Sequence, residues 1–297
     1  MCNVAVAPGA RVRVHPGGCD AVTLHVGATG EQYGFDPHGA LPGRHPLLEH
    51  ALAYAPPPNE PVTIAVGAAV PPGCGTGTSA AVVVALLAAC AALRGQALSA
   101  SELAVAAHAV EVGLGLQSGV QDQHAAARGG VQLLEIEYPH AVSTPIGGDD
   151  VIAALDDRLC TVWLGRSHRS SEVHEAVIAR LEGFDPEPAL APLRAAARDA
   201  ADALANGDLD AYGAALAANT EAQAALHPGL VGVDARRVIE VARAHGAPGW
   251  KVNGAGGDGG TVTVVAPADA EPLRRALARH WELLDLHVSR VGVQVKD

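Results

Sequence analysis

Residues 71–81 read PPGCGTGTSAA, between a valine-rich segment at 62–70 (VTIAVGAAV) and an alanine-rich one at 78–93. The first reads as a strand that Pro71-Pro72 ends, the second as a helix. Gly73, Gly75 and Gly77 let the backbone curl so that successive N–H groups face one point. Thr78 and Ser79 add hydroxyls at the helix start, where unpaired N–H groups and the macrodipole favour an anion. A turn with a helix cap needs one glycine and one hydroxyl, so the richer pattern here favours anion binding.

Two familiar anion loops fit less well. A Walker A loop needs GxxxxGK[ST], and no lysine lies near. A dinucleotide fingerprint GxGxxA matches Gly75, Gly77 and Ala80, but it requires a second strand ending in an acid about twenty residues on. Residues 98–109 read instead as the start of another helix.

Working outward, 2–15 reads as a strand broken at Pro8-Gly9, and 21–26 as another. Residues 34–61 read as loop with a short helix at 47–53. Helices are predicted at 99–112 and 122–128, and a strand at 131–137. Beyond a change of composition at 145–150, a strand is expected at 158–164. Helices follow at 171–181, 191–206, 209–225, 233–245 and 271–284, with strands at 250–252, 261–265 and 286–295. This order implies an α+β fold in two domains, 1–150 and 151–297.

The chain has 297 residues and a net charge of −12, with Lys251 and Lys296 its only lysines. No basic run appears, so a nucleic-acid partner is not expected. The five cysteines form no CxxC pair, which suits reduced thiols in a cytoplasm. The start, MCNVAVAPGARVRV, has neither the apolar core nor the basic head of a leader, and no run is long enough to span a bilayer. Neither a membrane partner nor a metal-binding histidine motif is expected. Nothing in the sequence decides between a monomer and a homodimer.

The segment from Pro71 to Ala81 resembles the second motif, PxxxGLGSSAA, of the GHMP kinases, with Thr76 and Thr78 as departures. Two further motifs of that family follow in order. APGARVRVHPGGCD (7–20) is similar to the first, and Lys251 to Gly260 to the third, KxxGAGGGGC. The resemblance implies a two-domain GHMP fold, with a ribosomal-protein-S5-like N-terminal and a ferredoxin-like C-terminal domain. It implies ATP and Mg²⁺ as cofactors, with Pro72, Gly73, Gly75, Thr76, Gly77, Thr78, Ser79 and Ala80 around the phosphates. Asp258 replaces a glycine of the third motif; its carboxylate could repel phosphate, hold a cation or face solvent.

Asp122 stands at a loop-to-helix junction, and Glu111 lies eleven residues before it near a helix end. Read from the residues alone, they are a helix cap and a solvated helix residue, or two carboxylates dividing metal and proton work. The family resemblance implies the second: Glu111 with Ser79 on Mg²⁺, Asp122 as base and Arg11 beside the reacting oxygens. It places Gly17, Gly18, Asp20, Gln121, Gly256 and Gly257 on the substrate side. QDQHAAARGG (121–130) and WLGRSHRSSEVHEA (163–176) look most like the heptose 7-phosphate kinase and fucokinase-like branch. That branch phosphorylates the anomeric hydroxyl of a sugar or sugar phosphate, and Arg166, His168 and Arg169 would form a cationic clamp.

Overall fold

The computed structural model describes residues 1–296 except 117, 168–170, 183–186 and 255. Its first half comprises β1 (Cys2–Val4), β2 (Val6–Ala7), β3 (Ala10–Pro16), β4 (Val22–Val26), β5 (Glu31–Phe35), α1 (Pro46–Tyr54) and β6 (Val62–Ala68). Then come α2 (Thr78–Leu93), α3 (Ala100–Gly113), α4 (Gln121–Arg128), β7 (Val131–Glu137) and β8 (His140–Pro145).

A four-stranded sheet runs β3-β6-β4-β5, with β4 and β6 parallel and the other pairs antiparallel. Alternation in the sequence becomes alternation in burial: Val62, Ile64 and Val66 on β6, and Val22, Leu24 and Val26 on β4, are all buried. They form one core with α1, α2 and α3. Helix α2 is apolar on every side, the pattern of a helix enclosed by protein. Its alanines let β3, α1, α3 and α4 come close. Helix α3 opens with a capping box, in which the Ser99 N–H donates to the Glu102 carboxylate at 2.7 Å and the Glu102 N–H donates to the Ser99 hydroxyl.

The second half comprises α5 (Asp149–Arg158), β9 (Leu159–Trp163), α6 (Ser171–Glu182), α7 (Glu187–Ala205), α8 (Leu209–Leu226), a 3₁₀ turn (Pro228–Leu230) and α9 (Val233–Ala244). β10 (Gly249–Val252), β11 (Thr261–Val265), α10 (Glu271–Ala278), β12 (Glu282–Leu284) and β13 (His287–Val288) complete it. An antiparallel sheet in the order β10-β11-β9-β12 packs one face on α9 and α10 through Val162, Val252, Val262, Val264, Val238 and Leu273. Helix α8 crosses β10 so closely that a Cβ on Gly249 would lie 1.7 Å from the Gly213 oxygen. A third core joins Val131 and Val288 to Leu155, Leu204 and Tyr212, drawing on both halves of the chain.

Several elements differ from expectation. The helix predicted over 271–284 stops at Ala278, and Glu282–Leu284 pairs with β9 instead, Leu283 opposite Val162. Of the strand expected over 286–295, only His287–Val288 pairs, with β2. Beyond it the tail presses on the end of α4: a Cβ on Gly129 would lie 2.1 Å from the Val291 carbonyl carbon. Close backbone contact replaces a strand ladder there. Strands β5 and β8 and helix α5 were not expected. Among the described residues, no helix is long and apolar enough to cross a membrane.

Candidate active site

The turn after β6 has the left-handed geometry its glycines suggest, with φ of 73° at Gly73, 78° at Gly75 and 72° at Gly77. Gly77 is the N-cap of α2, and no side chain caps that helix. Its first-turn N–H groups and the positive end of its dipole therefore remain available to an anion. The loop is braced from outside. The Thr261 hydroxyl donates to the Cys74 carbonyl at 2.7 Å, and the Ser167 hydroxyl donates to that of Pro72 at 2.5 Å. A Cβ on Gly75 would lie 3.1 Å from the Asn253 oxygen, so the third motif packs directly on the second. Cys74 and Ala80 are buried, whereas Pro72, Gly73 and Ser79 are exposed and Thr76 and Thr78 half-buried.

Helix α4 carries Asp122 to this loop in its first turn. A Cβ on Gly77 would lie 3.1 Å from both Cβ and Cγ of Asp122. The carboxyl opens on a cavity but is crowded by protein on its other sides. Loss of hydration raises its pKa to about 6, with the Glu111 carboxylate as the second cause. Glu111, near the end of α3, is buried, and its Oε2 accepts hydrogen bonds from Gln123 Nε2 at 2.7 Å and from the Ser118 hydroxyl. Gln123 Oε1 is buried and has no partner among the described residues. Two carboxylates close enough to repel, with an unpaired amide oxygen on the same short helix as Asp122, are oxygen groups of the kind a hard divalent cation takes, while Ser79 lies exposed in the first turn of α2 and does not line the cavity beside the loop. No three His, Cys, Asp or Glu side chains among the described residues group around one point.

A cavity of about 1100 Å³ opens beside the loop, lined among others by Gly75, Gly77, Asp122, Arg11, Lys251 and Asn253. Arg11 thus joins the loop and Asp122 there, while Glu111 backs Asp122 from the core. Gly17, Gly18, Asp20 and Gln121 are not among the lining residues. Gly17 sits beyond β3, its N–H donating to the Pro61 carbonyl at 2.7 Å, and Gly18 lies beside Thr23. Asp20 lies against Gly34 of β5, and Gln121 folds over Gly119.

Gly256 and Gly257 pack on the 3₁₀ turn instead of the cavity, the Gly257 N–H donating to the Leu230 carbonyl at 3.1 Å. Arg166, expected as part of a clamp, donates to Asp234 at 2.7 Å and lies 4.0 Å from Asp258. Its guanidinium is committed to carboxylates away from the cavity. Asp258 is exposed and held near that cation, so it faces outward. Arg169 and His168 lie outside the described residues. Sequence reasoning passed over Lys251 and Asn253 as site residues, although both stand in the third motif.

Residues 46–130 match the GHMP kinases N terminal domain. Over 242 residues the chain is 30% identical to mevalonate kinase of Methanothermobacter thermautotrophicus, covering 78% of this chain and 74% of that protein. The chain belongs to the GHMP kinase family. Members of this family are phosphotransferases that use ATP and act on small molecules, so this GHMP kinase is a transferase. Among solved structures, mevalonate kinase from Methanococcus jannaschii superposes with a TM-score of 0.74 at 16% identity, covering 97% of this chain and 90% of that one. D-glycero-D-manno-heptose 1-phosphate kinase from Bacteroides thetaiotaomicron gives 0.73 at 19%, covering 97% and 88%. Those likenesses carry the GHMP kinase fold and its mixture of α and β. They set mevalonate kinases beside a heptose kinase, so family and fold hold while the branch does not follow.

Proposed function

We propose that this GHMP kinase transfers the γ-phosphoryl group of ATP to a hydroxyl of a small sugar or sugar phosphate, the anomeric hydroxyl of a heptose 7-phosphate or a related sugar. The observation that carries the kinase reading is the contact of Asp122 with Gly77, which brings a carboxyl to the start of α2. The acceptor oxygen would form its bond to the γ-phosphorus as the bridge to the β-phosphate breaks. The hydroxyl proton would pass to Asp122, and ADP would leave. A carboxyl with a pKa of about 6 suits a base working near neutral pH.

Arg11, from β3, would lower the hydroxyl's pKa or neutralise charge on the moving phosphoryl group. Glu111 and Ser79 would hold Mg²⁺, which would offset the negative charge of the phosphate oxygens. The five cysteines are free, which suits a reducing compartment, the cytoplasm. The chain would work as two units dividing near residue 150.

The sugar reading rests on the 121–130 segment and on the likeness to the heptose kinase. A second reading, a non-sugar alcohol such as mevalonate, is favoured by the archaeal relative. ADP release measured over a panel of sugars, sugar phosphates and mevalonate, with Asp122→Asn as control, decides between them. Turnover of mevalonate alone would overturn the sugar assignment, and no turnover with any acceptor would count against the kinase reading.

A further inference from the structure

Although the chain carries a net charge of −12, the cavity is lined by the cations Arg11, Arg13, Lys251 and Lys296, with His15, against one carboxylate among the described residues, Asp122. A triphosphate at the start of α2 accounts for cations beside the glycine turn. Lys251 stands two residues before Asn253, whose backbone packs on Gly75 of that turn. It belongs to β10, directly opposite Thr263 of β11, which is directly opposite Thr161 of β9. The register puts the three side chains on one face of the sheet, and all three line the cavity. The Thr161 and Thr263 hydroxyls lie 3.2 Å apart.

The Lys251 ammonium donates to Gln223 Oε1 at 2.8 Å and to its neighbour's carbonyl at 2.6 Å, both neutral oxygens. Among the described residues no carboxylate pairs with it. Loss of hydration lowers its pKa to about 8. The other titratable groups lining the same space are Asp122, Arg11, Arg13, His15 and Lys296, the Cys2 thiol and the Tyr212 phenol on α8. A crowded cation without a counter-charge is costly for a fold to keep. An anion arriving from the cavity would supply that charge; with Thr161 and Asn253 Nδ2 donating to the Thr263 hydroxyl, that hydroxyl's proton could be donated to a remaining oxygen of the anion.

We propose that Lys251, Thr263 and Thr161 form an oxyanion subsite for the acceptor, so that the molecule phosphorylated carries a carboxylate or phosphate of its own. This rests on the kinase reading, and it places the acceptor's acidic end on the β9–β11–β10 sheet with its reacting hydroxyl toward Asp122. Neutral sugars and simple alcohols would then be poor acceptors.

With only two lysines, ¹³Cε-lysine labelling gives two side-chain signals, assigned with Lys296→Arg. The titration of Lys251 is followed in the whole protein alone, with the ATP analogue AMPPNP and Mg²⁺, and with inorganic phosphate or 3-hydroxybutyrate added to that complex. The expected result is a rise of at least one pH unit in the Lys251 midpoint on adding an oxyanion. Phosphate and 3-hydroxybutyrate separate a preference for phosphate from one for carboxylate. No movement with either at 100 mM overturns the inference. So does a full shift with AMPPNP alone to which the oxyanions add nothing, because the anion would then be the nucleotide's.

In turnover, Lys251→Met should raise KM for an acidic acceptor at least ~10-fold, the scale of a lost charged hydrogen bond, with a smaller change in kcat. An unchanged KM would overturn the inference even if the NMR shift were seen. AMPPNP binding is measured separately by calorimetry. Its absence would defeat the kinase reading itself, and would be distinguishable from a silent Lys251.

Discussion

Gly77 and Asp122 occupy one another's space: a Cβ at position 77 would stand 3.1 Å from both Cβ and Cγ of the carboxylate side chain. The glycine that starts α2 is therefore also the floor on which Asp122 rests. Its φ of 72° adds a second reason for glycine, since L side chains rarely adopt that conformation.

Gly77→Ala should accordingly cost about 1–2 kcal/mol in stability from left-handed strain alone. It should also push Asp122 away from the loop. Calorimetric ATP affinity and kcat should both fall at least ~10-fold, the effect of a small displacement at a reacting centre. An alanine variant with wild-type kinetics would show that the contact has no role in the reaction.

Asp122→Asn should leave ATP binding intact and lower kcat at least ~100-fold, the usual scale for losing a general base. Stability should move the other way. The folded protein holds the Asp122 proton with a pKa of about 6, above the ordinary 3.8, so ionising it disfavours the fold at higher pH. Asparagine should raise Tm at pH 8, and the gain should fade as pH falls through 6 and be absent below about 3.8. Because water reaches the carboxyl, the gain should be on the order of 1 kcal/mol. Thermal scans of both proteins at pH 8 and pH 3.5 check the sign.

Thr261→Val should remove the hydroxyl that donates to the Cys74 carbonyl and accepts from Asn253 Nδ2 at 2.9 Å. Asn253 Nδ2 keeps its bond to the Thr263 hydroxyl at 2.8 Å, but leaving the buried Cys74 carbonyl without its donor should cost about 1–3 kcal/mol in denaturant unfolding. The loosened loop should raise KM for ATP with little effect on the acceptor's KM. Equal changes in both would indicate a global defect.

Arg166→Ala tests the clamp expected from the sequence against the ion pairs the fold makes. The pair with Asp234 is partly exposed, so its loss should cost no more than about 1 kcal/mol. The acceptor's KM should stay within about twofold of wild type. A large rise confined to phosphorylated acceptors would restore the clamp.

Local chemistry was legible where it was strong. The glycine turn and its prolines located the start of α2, and its apolar run located the end, so the helix spans Thr78–Leu93 as read. The start of α3 was legible as Ser99 or Ser101, and the structure makes Ser99 the cap, with Glu102 closing a capping box. What the chain does not spell out is pairing between distant segments. Glu282–Leu284 carries a helix-compatible pattern and becomes a strand because β9 offers it an edge. Strands β5 and β8 lie in stretches rich in turn residues, and each exists through its hairpin partner. Helix α5 did leave a signal, Asp149 and Asp150 in its first turn and Arg158 in its last, arranged to suit the dipole.

The site follows the same division. The positions of Asp122 and Arg11 beside the glycine turn were foreseeable from motif order. Those of Arg166 and Lys251 depended on which carboxylates and which sheet face each would meet. No spacing in the sequence says that Asp234 intercepts Arg166.

The tail contact at α4 ties the far end of the chain to the reaction. Gly292 lies so near α4 that a Cβ there would come within 2.0 Å of the Ala127 oxygen. Val291 and Gly292 are thus a chock under the same short helix that presents Asp122 at its other end. Proteolysis or an appended tag that lifts these residues would release that helix and blunt the enzyme from a distance, with the glycine turn itself untouched.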